Sequence, residues 1–181
     1  IGYIFTSQSY KAKLLKPIVI FLLKYVLSGN KTRLILQNND NTNTIKKLNI
    51  IQNNYIRLVK GAGVEIEKFL PSSIPKGIPV VILPGRMLRD KGVFEFSRVA
   101  QKINSKGKKA LFVTVGEIDK HNPETLHQYH IDNWVKSGIL EHWGRREDME
   151  KVYAKASIVC LPSYNEGLPK VLIEAASCGR P

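Results

Sequence analysis

The 181-residue sequence predicts an α/β fold, a doubly wound parallel sheet of Rossmann type, carried mainly by residues 73–181. Three observations predict it. Continuous, β-branched apolar runs recur at Pro79–Leu83, Lys109–Val115 and Ser157–Leu161, as strands buried on both faces require. Segments of helical period lie between them, which makes βαβ units the economical reading. Glycine or proline punctuates the carboxyl end of each run, where such sheets place their ligands.

In order, Lys11 to Leu27 mixes lysines with large aliphatic residues and meets Ser28-Gly29-Asn30, which predicts a helix and its stop. That helix either packs on a core or presents a basic apolar surface to anionic lipid. Its greasiest part, Pro17 to Leu23, is cut by Lys24 and falls short of the roughly 18 apolar residues of a membrane span. Arg33–Gln37 reads as a strand ending in the turn Asn38-Asn39-Asp40-Asn41. A polar helix follows around Thr44–Gln52, then a strand at Ile56–Val59 and a chain reversal at Gly61-Ala62-Gly63. Pro71, Pro75 and Gly77 read as a linker and put a domain boundary near residue 72, so that residues 1–72 form one part and 73–181 the other.

Beyond the boundary, Pro79–Leu83 opens the sheet. Val93, Phe96, Ala100 and Ile103 recur at helical spacing behind Asp90 as expected N-cap. Lys109–Val115 is a second strand closed by Gly116. Leu126–Val135, Ile139–His142 and Asp148–Ala156 read as helix, strand and helix, and Ser157–Leu161 as the last strand. Pro169–Ser177 is a helix with proline at its start and Gly179 past its end. The loops to inspect are therefore 84–91, 116–123, 143–147 and 162–169.

Composition narrows the class. With 43% hydrophobic residues the chain can core one domain, or one domain and part of another. It begins at Ile1 and stops at Gly179-Arg180-Pro181 directly after a helical pattern, which reads as a segment of a longer protein. The formal charge of +13 favours an anionic partner, whether nucleotide, phospholipid surface or nucleic acid. A nucleic-acid-binding domain lacks support from any basic stripe with interleaved aromatics. Two cysteines without CxxC spacing read as buried thiols of a reducing compartment. His121, His127, His130 and His142 have no carboxylate or thiol at ligand spacing and read as surface or packing residues, and no metal is expected.

Gly85-Arg86-Met87-Leu88-Arg89-Asp90-Lys91-Gly92 puts glycine after a strand and cations before a helix amino terminus. Arg86 and Lys91 are thereby suited to a pyrophosphate, with a solvated charged loop as the plain alternative. Neither GxGxxG nor GxxxxGK[ST] occurs. The last loop, Pro162-Ser163-Tyr164-Asn165-Glu166-Gly167-Leu168-Pro169, leads to Glu174 among apolar neighbours. A carboxylate there needs a hydroxyl-bearing ligand or a salt-bridge partner.

Pro162-Ser163-x-x-Glu166-Gly167-x-Pro169, Glu174-Ala175 and Gly179-Arg180-Pro181 together resemble the E-x7-E region of glycosyltransferase family 4, retaining enzymes of GT-B fold. Gly85-Arg86, Lys91-Gly92 and the turn Gly144-Arg145 with Asp148 are similar to further motifs of that family. The resemblance implies a GT-B-like donor-binding half, incomplete at its carboxyl end, preceded by the tail of an acceptor domain. Arg86 and Lys91 would hold the diphosphate of a nucleotide sugar, with UDP favoured and GDP open. Glu166 would contact the transferred sugar and Glu174 the ribose hydroxyls. Backbone N–H groups of Gly167 and Leu168 would approach the sugar or phosphate, and Gly144 and Arg145 would border the base. Glu166, Arg86 and Lys91 would be the catalytic set, stabilising charge on the departing diphosphate without a metal cofactor.

Gly2-Tyr3-Ile4-Phe5-Thr6, Leu34–Asn38 with Asp40, and Gly61–Glu65 with Phe69-Leu70-Pro71 are similar to the end of the family's acceptor domain and its hinge. The resemblance implies a polyprenyl-diphosphate-linked or saccharide acceptor, surface-polysaccharide synthesis, and a cytoplasmic protein in peripheral contact with the anionic inner face of the membrane. It also implies little transferase activity for these 181 residues alone. A catalytically inactive, truncated remnant that folds and binds nucleotide is the alternative.

Overall fold

The computed structural model describes residues 3–6, 10–29, 31–61 and 63–181. Gly2, Asn30 and Ala62, invoked above, lie outside the described residues. The chain divides into two compact units, Ile1–Ala62 and Gly63–Pro181.

The first unit contains α1 (Tyr3–Thr6), α2 (Tyr10–Leu27), β1 (Leu34–Leu36), α3 (Asn39–Lys47) and β2 (Ile56–Leu58). β1 and β2 are parallel, with Leu34 beside Ile56. Ile45, Ile50 and Ile56 form its buried cluster, and Ile20, Leu23 and Leu27 of α2 pack on it one turn apart. The polar helix starts and ends about five residues earlier than the sequence suggests. Asn38, read as part of a turn, is its N-cap: the side-chain oxygen accepts from the Asn41 amide at 2.7 Å, satisfying a donor that the first turn leaves orphaned. Asn49 (φ 48°), in the left-handed region that asparagine tolerates, follows its end.

The second unit is a four-stranded parallel sheet with helices on both faces. Its elements are β3 (Val80–Pro84), a 3₁₀ turn (Arg89–Lys91), α4 (Val93–Ser105), β4 (Leu111–Val115), α5 (Gln128–Lys136), β5 (Glu141–His142), α6 (Met149–Lys155), β6 (Ile158–Val159) and α7 (Lys170–Ser177). The spatial order is β5-β4-β3-β6, every neighbouring pair parallel. Strand alternation sorts the core. Ile82, Val113 and Val159 face α6 and α7, meeting Val152, Tyr153 and Ala175. Leu83 and Phe112 face the other way, toward Val93, Phe96 and Ala100 of α4 and Ile131 of α5. The expected doubly wound α/β sheet is thus the observed one.

Two details differ from expectation. Asp90 is not the N-cap of α4; it sits in the 3₁₀ turn, and Gly92 (φ 72°) takes the cap position. Only glycine fits, because a Cβ there would lie 2.3 Å from the Pro162 carbonyl oxygen. The expected boundary near residue 72 falls inside the second unit. Phe69 is buried in the β-sheet's core, Ser177 Oγ donates to its carbonyl at 2.7 Å, and the Ser72 amide donates to Cys178. Arg180, buried just past α7, donates to the Tyr153 carbonyl at 2.8 Å, to the Ser73 carbonyl at 3.1 Å and to Ser72 Oγ.

Candidate functional site

Chain order turns back between β3 and β6: β3, β4 and β5 step outward on one side, and β6 returns to the other flank of β3. At such a switch point the loops after the two strands flanking the reversal part and leave a crevice beyond their carboxyl ends. Here those loops are 85–92 and 160–169.

Backbone alone makes the floor. Gly85 N–H donates to the Val115 carbonyl and Gly116 N–H to the Gly144 carbonyl, each at 2.8 Å, stitching together the ends of β3, β4 and β5. Gly116 (φ 153°) passes so close to Gly85 that a Cβ would stand 1.8 Å from the Gly85 oxygen. A shallow cleft of about 220 Å³ lies over this crossing, lined by Gly85, Arg86, Gly116, Arg145 and Val171 among others.

Side chains rise around the floor in ion pairs. Lys91 Nζ meets Glu166 Oε1 at 2.5 Å across the crevice, both only partly exposed. The two loops are also tied by the Tyr164 amide donating to the Asp90 carbonyl at 2.9 Å, and the Tyr164 hydroxyl donates to Glu95 of α4 at 2.8 Å. That carboxylate, foremost through the hydrogen bond, raises the Tyr164 pKa. Arg86 pairs with Asp119 at 2.8 Å, and Arg145 with Glu117 at 3.3 Å, both exposed at their guanidinium ends. Arg146 holds Asp148 through two 2.8 Å contacts, and the Asp148 pKa falls to about 2 chiefly through that hydrogen bonding.

Glu174 lies on α7 one turn after Val171, which lines the cleft. It is 6% exposed on α7, accepts a 2.9 Å hydrogen bond from the buried Tyr153 hydroxyl on Oε2, and pairs with Lys170 at 3.5 Å on Oε1. The polar partners that the sequence demanded for it are therefore present. Gly167 and Leu168 are exposed in the loop. Ser163 in the same loop has a buried hydroxyl without a hydrogen-bond partner.

The structure thus gathers Gly85, Arg86, Gly144 and Arg145 along one side of the sheet end, and joins Lys91 to Glu166 across the switch point. Sequence reasoning missed Asp119 and Glu117, the carboxylates that partner two of the cations, and missed Tyr153. The signal for the first two was available: Val115-Gly116-Glu117 repeats the strand-glycine-charge order of Pro84-Gly85-Arg86. His127 and His130 sit in an aromatic array with Tyr129, Trp134 and Phe94 at the start of α5, where desolvation lowers the His130 pKa.

Comparison with known proteins adds to this geometry. The family model described as Glycosyl transferases group 1 matches residues 78–181. The N,N'-diacetylbacillosaminyl-diphospho-undecaprenol alpha-1,3-N-acetylgalactosaminyltransferase of Campylobacter jejuni is 28% identical over 193 residues, covering 99% of this chain and 49% of that protein. The UDP-Gal:alpha-D-GlcNAc-diphosphoundecaprenol alpha-1,3-galactosyltransferase of Escherichia coli is 29% identical over 190 residues, covering 98% and 48%. The chain spans about half the length of these curated relatives. Among solved structures, sucrose-phosphate synthase from Thermosynechococcus elongatus superposes with a TM-score of 0.73 at 19% identity, over 98% of this chain and 46% of that one. Anabaena HepE in complex with UDP-glucose gives 0.69 at 16%, over 92% and 49%. At these identities the likeness concerns fold alone, which is GT-B-like.

Proposed function

The chain belongs to the Glycosyl transferases group 1 family, and from that premise we propose that residues 73–181 bind a nucleotide-diphosphate sugar at the switch point and that the protein transfers the sugar with retention. The reading takes UDP as the nucleotide and a polyprenyl-diphosphate-linked or saccharide acceptor, in surface-polysaccharide synthesis. Relatives named for undecaprenol-linked substrates support it.

The observation that carries it is the meeting of Lys91 and Glu166 from loops on opposite sides of the switch point. A donor entering the crevice separates that pair. The Lys91 ammonium turns to the diphosphate, Arg86 exchanges Asp119 for a second phosphate oxygen, and Glu166 is released toward the sugar. Fixed cations aimed at a leaving diphosphate stabilise the negative charge that grows there as the glycosidic bond breaks, the usual source of the largest catalytic contribution. Arg86 and Lys91 do this without a metal. Glu174 takes a ribose hydroxyl, the N–H groups of Gly167 and Leu168 face sugar or phosphate, and Gly144 and Arg145 border the base.

Calorimetric titration of UDP, GDP and their sugar conjugates tests the reading, with Lys91→Ala and Glu174→Ala as controls and EDTA present in a parallel series. Saturable binding of one nucleotide, unchanged by EDTA and weakened at least about tenfold in each variant, as loss of a charge-assisted contact predicts, is the expected result. A folded chain that binds none of them overturns it.

The reading includes peripheral contact of α2 with an anionic membrane. Opposite its packed residues, α2 turns out Leu14, Ile18, Phe21 and Tyr25, with Leu14 and Tyr25 both 75% exposed, and it also carries Lys11, Lys13, Lys16 and Lys24. Among the described residues no helix is long and apolar enough to cross a membrane.

A further inference from the structure

Glu174 raises a question that its assigned partner does not answer. A carboxylate in a site this dry has two oxygens, and a ligand hydroxyl needs one of them held at a fixed position and open. Tyr153 supplies the fixing. Its hydroxyl donates to Glu174 Oε2 at 2.9 Å, and the residue is wholly buried. Three elements hold it. Phe69 packs on its ring at 6.0 Å between centroids, Ala175 of α7 and Cys178 just past it share its core cluster, and the Arg180 guanidinium donates to its backbone carbonyl at 2.8 Å. The two ends of the contact differ sharply in freedom. Oε2 is bound by a side chain that cannot move without opening the core. Oε1 faces Lys170, whose ammonium lies 3.5 Å away on a side chain 59% exposed.

We infer that Tyr153 is a positioning residue for donor recognition: it clamps Glu174 Oε2 so that Oε1, released from Lys170, is presented to a ribose hydroxyl of the nucleotide. The inference rests on the donor-site reading above and goes beyond it, because it names which oxygen reads the ribose and what orients it. A phenol suits the task. Burial and the adjacent Glu174 carboxylate both push the Tyr153 pKa far up, so the hydroxyl keeps its proton and remains a donor over the whole working pH range. With the clamp gone, the carboxylate turns freely toward Lys170, and the ribose hydroxyl loses a preoriented, charged acceptor.

The experiment is calorimetric titration of UDP, GDP and their 2′-deoxy and 3′-deoxy counterparts into the 181-residue chain and its Tyr153→Phe variant, with near-ultraviolet circular dichroism and thermal unfolding as checks on packing. The expected result is about tenfold weaker binding of the ribonucleotide by the variant, with one of the deoxy analogues unaffected, so that discrimination between the two collapses. Equal weakening toward ribo and deoxy ligands makes Tyr153 merely structural and overturns the inference, as does unchanged discrimination. If Tyr153→Phe fails to fold, the second arm is Cys178→Ser together with Phe69→Leu, which loosen the ring's seat while keeping the hydroxyl; retained ribose discrimination with a visibly mobile Tyr153 ring overturns the clamp. Failure of the unsubstituted chain to bind any nucleotide instead overturns the donor-site reading, and this inference with it.

Discussion

At the scale of single residues, the site depends on where side chains are absent. Gly116 and Gly107 both have positive φ, but a Cβ at Gly116 would strike the Gly85 oxygen at 1.8 Å, while one at Gly107 meets nothing within 4 Å. Gly107→Ala is expected to cost about 1 kcal/mol from backbone strain alone. Gly116→Ala should cost more than about 2 kcal/mol, because the strand ends must also move apart. Urea unfolding of the two variants checks the difference, and equal costs refute the crossing as drawn. Asp148 gives a pH prediction. Its folded pKa of about 2 lies below the ordinary carboxylate value, chiefly through Arg146, so its contribution to stability is present near neutrality. That contribution fades as pH falls from about 4 toward 2, the window between the unfolded and folded values. Asp148→Asn should flatten the acid limb of the stability curve in that window, as measured by denaturation at stepped pH.

At the scale of elements, Arg180 joins the end of α7 to the segment ahead of the sheet through Ser72, Ser73 and the Tyr153 carbonyl. Removing it takes away three hydrogen bonds, one of them to the buried Tyr153 carbonyl, an expected loss of about 1–3 kcal/mol for Arg180→Ala. The segment should also open to protease before the sheet does: trypsin is expected to cut after Lys76 in the variant several times faster than in the parent chain. How much of this was legible follows from the kind of signal each element carries. The long apolar runs that became β3 and β4 announce themselves, since nothing but burial on both faces accounts for such sequences. Asn38 did not, because asparagine serves turns and helix caps alike and only the following amides decide. Lys91, Glu166 and Glu174 were legible as a spaced pattern in one dimension. Their partners were not, because Asp119 stands 33 residues from Arg86 and Tyr153 stands 21 from Glu174, and tertiary folding alone brings them together.

At the scale of the whole molecule, the charge of +13 is unevenly shared: the first unit holds ten basic side chains against one acidic. In the proposed membrane contact this charge would act together with the outward apolar stripe of α2. Each such side chain contributes up to about 1.5–3 kcal/mol when fully buried, and each lysine about 1 kcal/mol near anionic headgroups. The chain should therefore co-sediment with vesicles containing phosphatidylglycerol and not with neutral phosphatidylcholine vesicles, and Leu14→Glu with Phe21→Glu should abolish sedimentation without affecting nucleotide titrations. Sedimentation that persists in this double variant refutes α2 as the contact.

The ion pairs around the switch point have a further consequence for how far its charge reaches. Arg86, Lys91 and Arg145 each lie within 3.3 Å of a carboxylate, so from beyond a screening length of about 8 Å in physiological salt they present dipoles rather than bare charges. A charged molecule drifting past feels little pull from them, whereas a diphosphate bound as proposed would meet Arg86 and Lys91 at contact range as their carboxylates swing aside. In the proposed donor site these cations would then act on a ligand already seated between the loops and contribute little to its approach from a distance.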